Sequence, residues 1–235
     1  QGVSSAASDV YKRQVQGLAM GATASNAFQL GMDASAAASI GLKTGTLTLQ
    51  FQTDGTGTSG LAPANLSPQT LYVSTAVYQP AAGALYTAGS LLGQGDTLQL
   101  NPIREGESFT PKSLTVKNTI SVDTYSERLN ATILAGTTAA AGSSAANAMR
   151  IVPGALAQNA LSVGLGSGSF ATAGLQSGTL LVSFETDGWQ TSGLAAASVG
   201  TQLLSLAGSV YRVASASLSA TSVSYTHLRA HETRE

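Results

Sequence analysis

GLQSGTLLVSFETDGWQTSGLA, residues 174–195, decides the fold, because a second version of it, GLKTGTLTLQFQTDGTGTSGLA, stands at residues 41–62. The step between the two is 133 residues, and the register runs on without a gap in both directions. Upstream, Gly21-Ala22, Asn26-Ala27 and Gly31 meet Gly154-Ala155, Asn159-Ala160 and Gly164. Downstream, Gln69 meets Gln202 and Val77-Tyr78 meets Val210-Tyr211. A period of that length is the size of a domain, so the chain is built on a tandem repeat of domain-sized units.

Each copy reads as two strands around a turn. Leu47, Leu49 and Phe51 alternate with Thr48 and Gln50, the period-two pattern of a half-buried strand. The matching run 179–184 is more apolar, which predicts deeper burial. Both strands end in Thr-Asp-Gly, where Asp and Gly supply a turn. A Ser-Gly-Leu-Ala loop follows, anchored by Leu61 or Leu194. The returning strand covers 69–78 in the first copy and 202–213 in the second, with Val73, Val77, Leu206 and Val210 facing inward.

More strands precede the second copy. Residues 97–101 alternate around Leu98 and Leu100, and Pro102 and Gly106 bound a turn. Residues 113–119 place Leu114 and Val116 on one face, and 129–134 place Leu129, Ala131 and Ile133 on one face. Residues 137–147 are a low-complexity Ala/Gly/Ser loop, and 149–152 and 160–165 are two further short strands. Ala34 to Ala38 and Ala139 to Ala141 have helical propensity but no amphipathic stripe. Residues 84–216 therefore predict a complete unit, an all-β, immunoglobulin-like antiparallel β-sandwich. Its expected core holds Leu114, Val116, Ile133, Val163, Leu180, Val182, Phe184, Leu206 and Val210. Residues 15–83 begin only at the equivalent of 148, and predict the C-terminal part of a truncated repeat whose apolar face lies open.

The ends have a different composition. Residues 4–14, SSAASDVYKRQ, and 223–235, VSYTHLRAHETRE, resemble translated sequencing-adapter read-through. Residues 1–14 and 217–235, the second with a short linker, are accordingly set apart from the repeats.

Composition narrows the function classes. Charged residues make up 10% of the 235 and the net charge is −1, against about 25% charged in ordinary soluble domains. A neutral surface rich in Gly, Ala, Ser and Thr offers no electrostatic footprint for nucleic acid. The mixed cluster Arg104-Glu105-Gly106-Glu107 reads as a solvated turn. The chain has no cysteine, which excludes disulfides and thiolate metal sites, and no apolar run long enough to suggest a membrane-spanning helix.

Catalytic signals are weak. Both histidines, His227 and His231, sit in the adapter-like tail, so no Ser-His pair is available to the interior. Lys43, Lys112 and Lys117 lie in no Ser-Lys motif. Glu185 and Asp187, two apart on a strand, share a face as a glycosidase pair would, but their counterparts are Gln52 and Asp54. Asp54 and Asp187 read as Asp-Gly turn residues, with a calcium site as the alternative. Gly164 to Gly168 superficially suggests a phosphate loop but lacks the following Lys-Ser/Thr and helix. Asn65-Leu66-Ser67 and Asn130-Ala131-Thr132 fit the glycosylation pattern. Trp189, whose counterpart is Thr56, either stacks on a sugar or covers the end of the core. Tyr78 and Tyr211 close each repeat and are placed to pack at a junction with the next. Asp54, Asp187 and Trp189 are thus the candidate ligand-loop residues; no catalytic, cofactor or metal residue is assigned.

Four segments carry a resemblance to a known family: Leu98-Gln99-Leu100-Asn101 with Gly106; Ser113 to Thr119; Pro153-Gly154 with Leu161-Ser162-Val163; and Gly178 to Thr186 followed by Ala207-Gly208-Ser209-Val210-Tyr211. In this order and spacing the unit resembles the choice-of-anchor D repeats of large bacterial surface proteins, relatives of the ASPM/Hydin-type sandwich. Where that family places Phe-Gly after its first strand, this chain has Asn101-Pro102, which predicts a displaced opening strand. The resemblance implies a secreted or cell-surface, non-enzymatic, modular role with neighbouring repeats as partners. The competing expectations are a carbohydrate- or protein-binding module using the loops after the Thr-Asp-Gly turns, and an accessory domain of an extracellular hydrolase.

Overall fold

The computed structural model describes residues 15–28, 30–31, 34–134, 146–166 and 168–218. The adapter-like ends, both histidines and Ala139 to Ala141 lie outside them. Apart from one helical turn, α1 (Ala34–Ala37), the regular structure is β.

The first copy folds as a hairpin. β1 (Gly41–Leu49) pairs antiparallel with β4 (Gln69–Val77), and the short β2 (Gln52–Thr53) and β3 (Ala64–Asn65) extend it toward the loop. The second unit adds β5 (Gly83–Thr87), β6 (Ser90–Leu92), β7 (Thr97–Gln99), β8 (Ile103–Arg104), β9 (Lys112–Asn118), β10 (Arg128–Ile133), β11 (Asn147–Ile151), β12 (Leu156–Val163), β13 (Gly174–Asp187) and β14 (Ala197–Tyr211). One sheet runs β11-β10-β13-β14-β7, with β8 also on β14; the other runs β12-β9-β5-β6. Residues of both sheets share one hydrophobic core, so the unit is an immunoglobulin-like sandwich.

Eight of the nine expected core residues are buried, and Ile133 packs against them partly exposed. Pairing is antiparallel except at the opening strand. β7 and β8 lie parallel to β14, with Leu98 opposite Leu206 and Ile103 opposite Val210. Pro102 has no N–H to give to a ladder, so the strand breaks between Leu100 and Ile103. The β5–β6 hairpin is an addition to the strands read from sequence. Its two-residue turn, Ala88-Gly89, has positive φ at both positions (47° and 83°), the primed geometry that hairpins favour.

The repeat survives as geometry. Gly41 pairs with Val77 as Gly174 pairs with Val210, Leu47 with Leu71 as Leu180 with Leu204, and Thr53 with Ala64 as Thr186 with Ala197. Burial is what differs at most of these positions, although Leu47, expected to lie open with the rest of that face, is buried at 8% exposure as Leu180 is. Phe51 is 40% exposed against 5% for Phe184, Leu71 48% against 0% for Leu204, and Val73 38% against 1% for Leu206. The second hairpin is covered by β5, β9 and β12. The first has no counterpart of β5 or β9 across its apolar face among the described residues.

The described residues of 15–31, the counterparts of β11 and β12, form no strand. In the complete unit β11 needs β10 and β12 needs β9 as ladder partners, and the described residues of the first copy supply neither. Even so, the local backbone is kept. Positive φ falls on Gly17 and Arg150, on Gly21 and Gly154 (75° in both), and on Asn26 and Asn159 (57° and 51°). The turn from Ala22 N–H to Ala19 O matches that from Ala155 N–H to Val152 O. Turn chemistry is local and strand pairing is not, which is why one persists without the other.

Candidate functional site

The two Thr-Asp-Gly loops share their turn hydrogen bonds. The Asp54 carboxylate accepts Thr56 N–H at 2.9 Å, and Asp187 accepts Trp189 N–H at 2.9 Å. Gly55 O accepts Thr58 and Gly60 N–H; Gly188 O accepts Thr191 and Gly193 N–H. Leu61 N–H is bonded to Ser59 Oγ and Leu194 N–H to Ser192 Oγ. Glycine is required at 55 and 188 because a Cβ there would stand 2.5 Å from Leu61 O or 2.7 Å from Leu194 O. A loop that closes on its own side chains and backbone folds the same way with or without a core beneath it.

Thr56 holds the carboxyl of Asp54 below the usual carboxylate range, first through its backbone N–H and then through its hydroxyl. Because the folded value is the lowered one, this contribution is present above the ordinary carboxyl pKa. It is lost as pH falls through the folded value. The amide resonance of Thr56 is expected to move at lower pH than that of a free aspartate peptide; titration at the peptide value would contradict the turn.

In the second unit a buried polar cluster ties the loop to the sandwich. Glu127, buried beside the start of β10, accepts the hydroxyls of Thr186 (2.6 Å) and Ser192, and the Thr186 oxygen accepts Ala81 N–H at 2.9 Å. In the first copy the hydroxyl of Thr53 instead bonds the backbone of Ala64. Asn118, fully buried at the end of β9, donates to Glu127 O and Ile151 O, both at 3.1 Å, and accepts Ala82 N–H. It joins the two sheets at the same end. Sequence reading missed Glu127; the one hint is that Thr and Ser recur at 53/186 and 59/192.

Asp187 is further engaged by Asn130 Nδ2 at 3.2 Å and by Arg150 at 3.8 Å. Donors and a guanidinium pointing at both oxygens suit a loop anchor. They oppose the calcium alternative at this residue, since a cation would need those oxygens and would meet Arg150. Among the described residues no group of three or more His, Asp or Glu side chains stands close enough together for a metal.

Trp189 is 41% exposed. It is not in the core, and its ring lies against guanidinium groups, Arg150 at 4.1 Å and Arg128 at 5.0 Å from the centroid. Asn130 is buried and bonded to Asp187 and to Arg150 N–H, so its glycosylation pattern is not accessible in the folded unit. Tyr78 packs edge-on against Tyr125 at 5.6 Å. Beside it Gln79 bonds with Tyr125 O and Glu127 N–H, so the hairpin is tied to the unit that follows.

No family model and no curated protein matches the chain. Among solved structures it is similar to the CooA pilin subunit from enterotoxigenic Escherichia coli, at 12% identity over 55% of this chain and 98% of that one, with a TM-score of 0.29.

Proposed function

We propose that the chain is a non-enzymatic structural spacer, part of an array of immunoglobulin-like repeats in a large secreted or surface-anchored bacterial protein. The carrying observation is the joint. One copy of the repeat ends in Tyr78 and Gln79, and these are fastened directly to the next unit through Tyr125, Ser126 and Glu127. Short, bonded joints between like units keep an array stiff, which a flexible linker would not. The uncharged hydroxyl-rich surface and the resemblance to choice-of-anchor D repeats support the same role. Neighbouring repeats are then the first partners. Pulling the full chain by its ends is expected to give one force peak, followed by release of chain on the order of 45 nm, about the extended length of one repeat. Smooth extension without a peak would remove the load-bearing role.

A second reading, a carbohydrate- or protein-binding module, is favoured by the exposed Trp189 beside Arg128 and Arg150. Binding on a glycan array that is lost in Trp189→Ala would establish it in place of the spacer.

A further inference from the structure

The first copy is the back half of a sandwich with its interior open, and the second copy shows what closes such a half. Val15, Leu18, Phe28 and Leu30 are each 40–55% exposed, whereas their counterparts Ala148, Ile151, Leu161 and Val163 are buried. With Phe51 and Leu71 of the hairpin they are core positions left exposed, although Leu47, paired with Leu71, is buried. The turns of 15–31 already follow the path of β11 and β12. What is missing is the pair of strands that β11 and β12 need, together with the layer over the hairpin.

We propose that this open face takes a front-half segment of the same kind as residues 81–147. Its β9 strand pairs with 23–30, its β10 strand pairs with 15–18 and with β1, and its β5 strand closes the layer over Phe51. The occupant differs from 81–147 at one point. Phe109 sits where a Cβ on Gly208 would be 2.4 Å from its ring, and it stacks edge-on with Phe170. The first copy has Thr75 in place of Gly208 and Ala37 in place of Phe170. The segment that fits therefore carries a small side chain where Phe109 stands. The inference rests on the repeat geometry and is independent of the spacer role.

The test inserts a second copy of residues 81–147, bearing Phe109→Ala, between Gln14 and Val15 of the full chain, and follows amide hydrogen exchange. Peptides covering 23–30 and 69–77 are expected to slow by roughly 100-fold, toward the rates of 156–163 and 202–210. A matched chain with Val116→Asp in the inserted copy alone is expected to lose that gain, and an inserted copy that keeps Phe109 to recover only part of it. Unchanged exchange at 23–30 with the insert present, or equal slowing with the Val116→Asp insert, would overturn the proposal. So would protection in the native chain that appears at high concentration and vanishes on dilution, which assigns the face to a second copy of the chain.

Discussion

Phe184→Ala is expected to destabilise the second unit by about 3–5 kcal/mol, while the same substitution at its repeat counterpart, Phe51→Ala, leaves that unit within about 0.5 kcal/mol of the parent. The two phenylalanines stand at the same position of the same hairpin. Phe184 is 5% exposed, and its ring fills the space over Gly83, where a Cβ would come within 2.3 Å of it. Truncation there removes a buried ring and leaves a cavity between two sheets that cannot close on it. Phe51 lies on a face with no opposing layer among the described residues, so truncation leaves no cavity. Trp189 is the one tryptophan in the chain and belongs to the second unit, so its fluorescence during urea unfolding reports that unit. Equal shifts for both variants would mean that the first face is packed against the second unit.

Asn118→Leu is expected to cost about 2–4 kcal/mol, although leucine is more apolar and the site is fully buried. The side-chain amide donates to the carbonyls of Glu127 and Ile151 and receives Ala82 N–H. Leucine leaves all three without that partner in an interior where water does not replace it, and each orphaned group costs about 1–3 kcal/mol, partly offset by added apolar burial. The same unfolding experiment measures it. A neutral or stabilising result would show that the sheets are held at this end by packing alone.

How far the sequence carried the fold differs from residue to residue, for physical reasons. Period-two alternation located the strands around Leu98, Leu114, Leu129 and Leu180, because one buried face imposes that pattern. The β5–β6 hairpin escaped it. Its turn uses Ala88 at positive φ, where Asn or Gly is the recognisable signal. Parallel pairing of β7 and β8 with β14 was likewise hidden, since alternation does not encode strand direction. Glu127 escaped the sequence reading because its burial follows from hydroxyls 59 and 65 residues further along the chain. The turn role of Asp54 and Asp187 was legible because an Asp-Gly turn is local. The surroundings of Trp189 were not, because Arg128 and Arg150 reach it from other strands.

The central claim is that one sequence pattern occurs twice, once with its covering layer and once without. Amide exchange on the native full chain compares the two copies inside one molecule, with identical pairing register and solvent. Residues 202–210 are expected to exchange only through opening of the whole sandwich, and residues 69–77 through local opening that is faster by orders of magnitude. Equal, strong protection of both hairpins in a dilute, monomeric sample would contradict the claim, because it would show that the first copy already has the layer it is described as lacking.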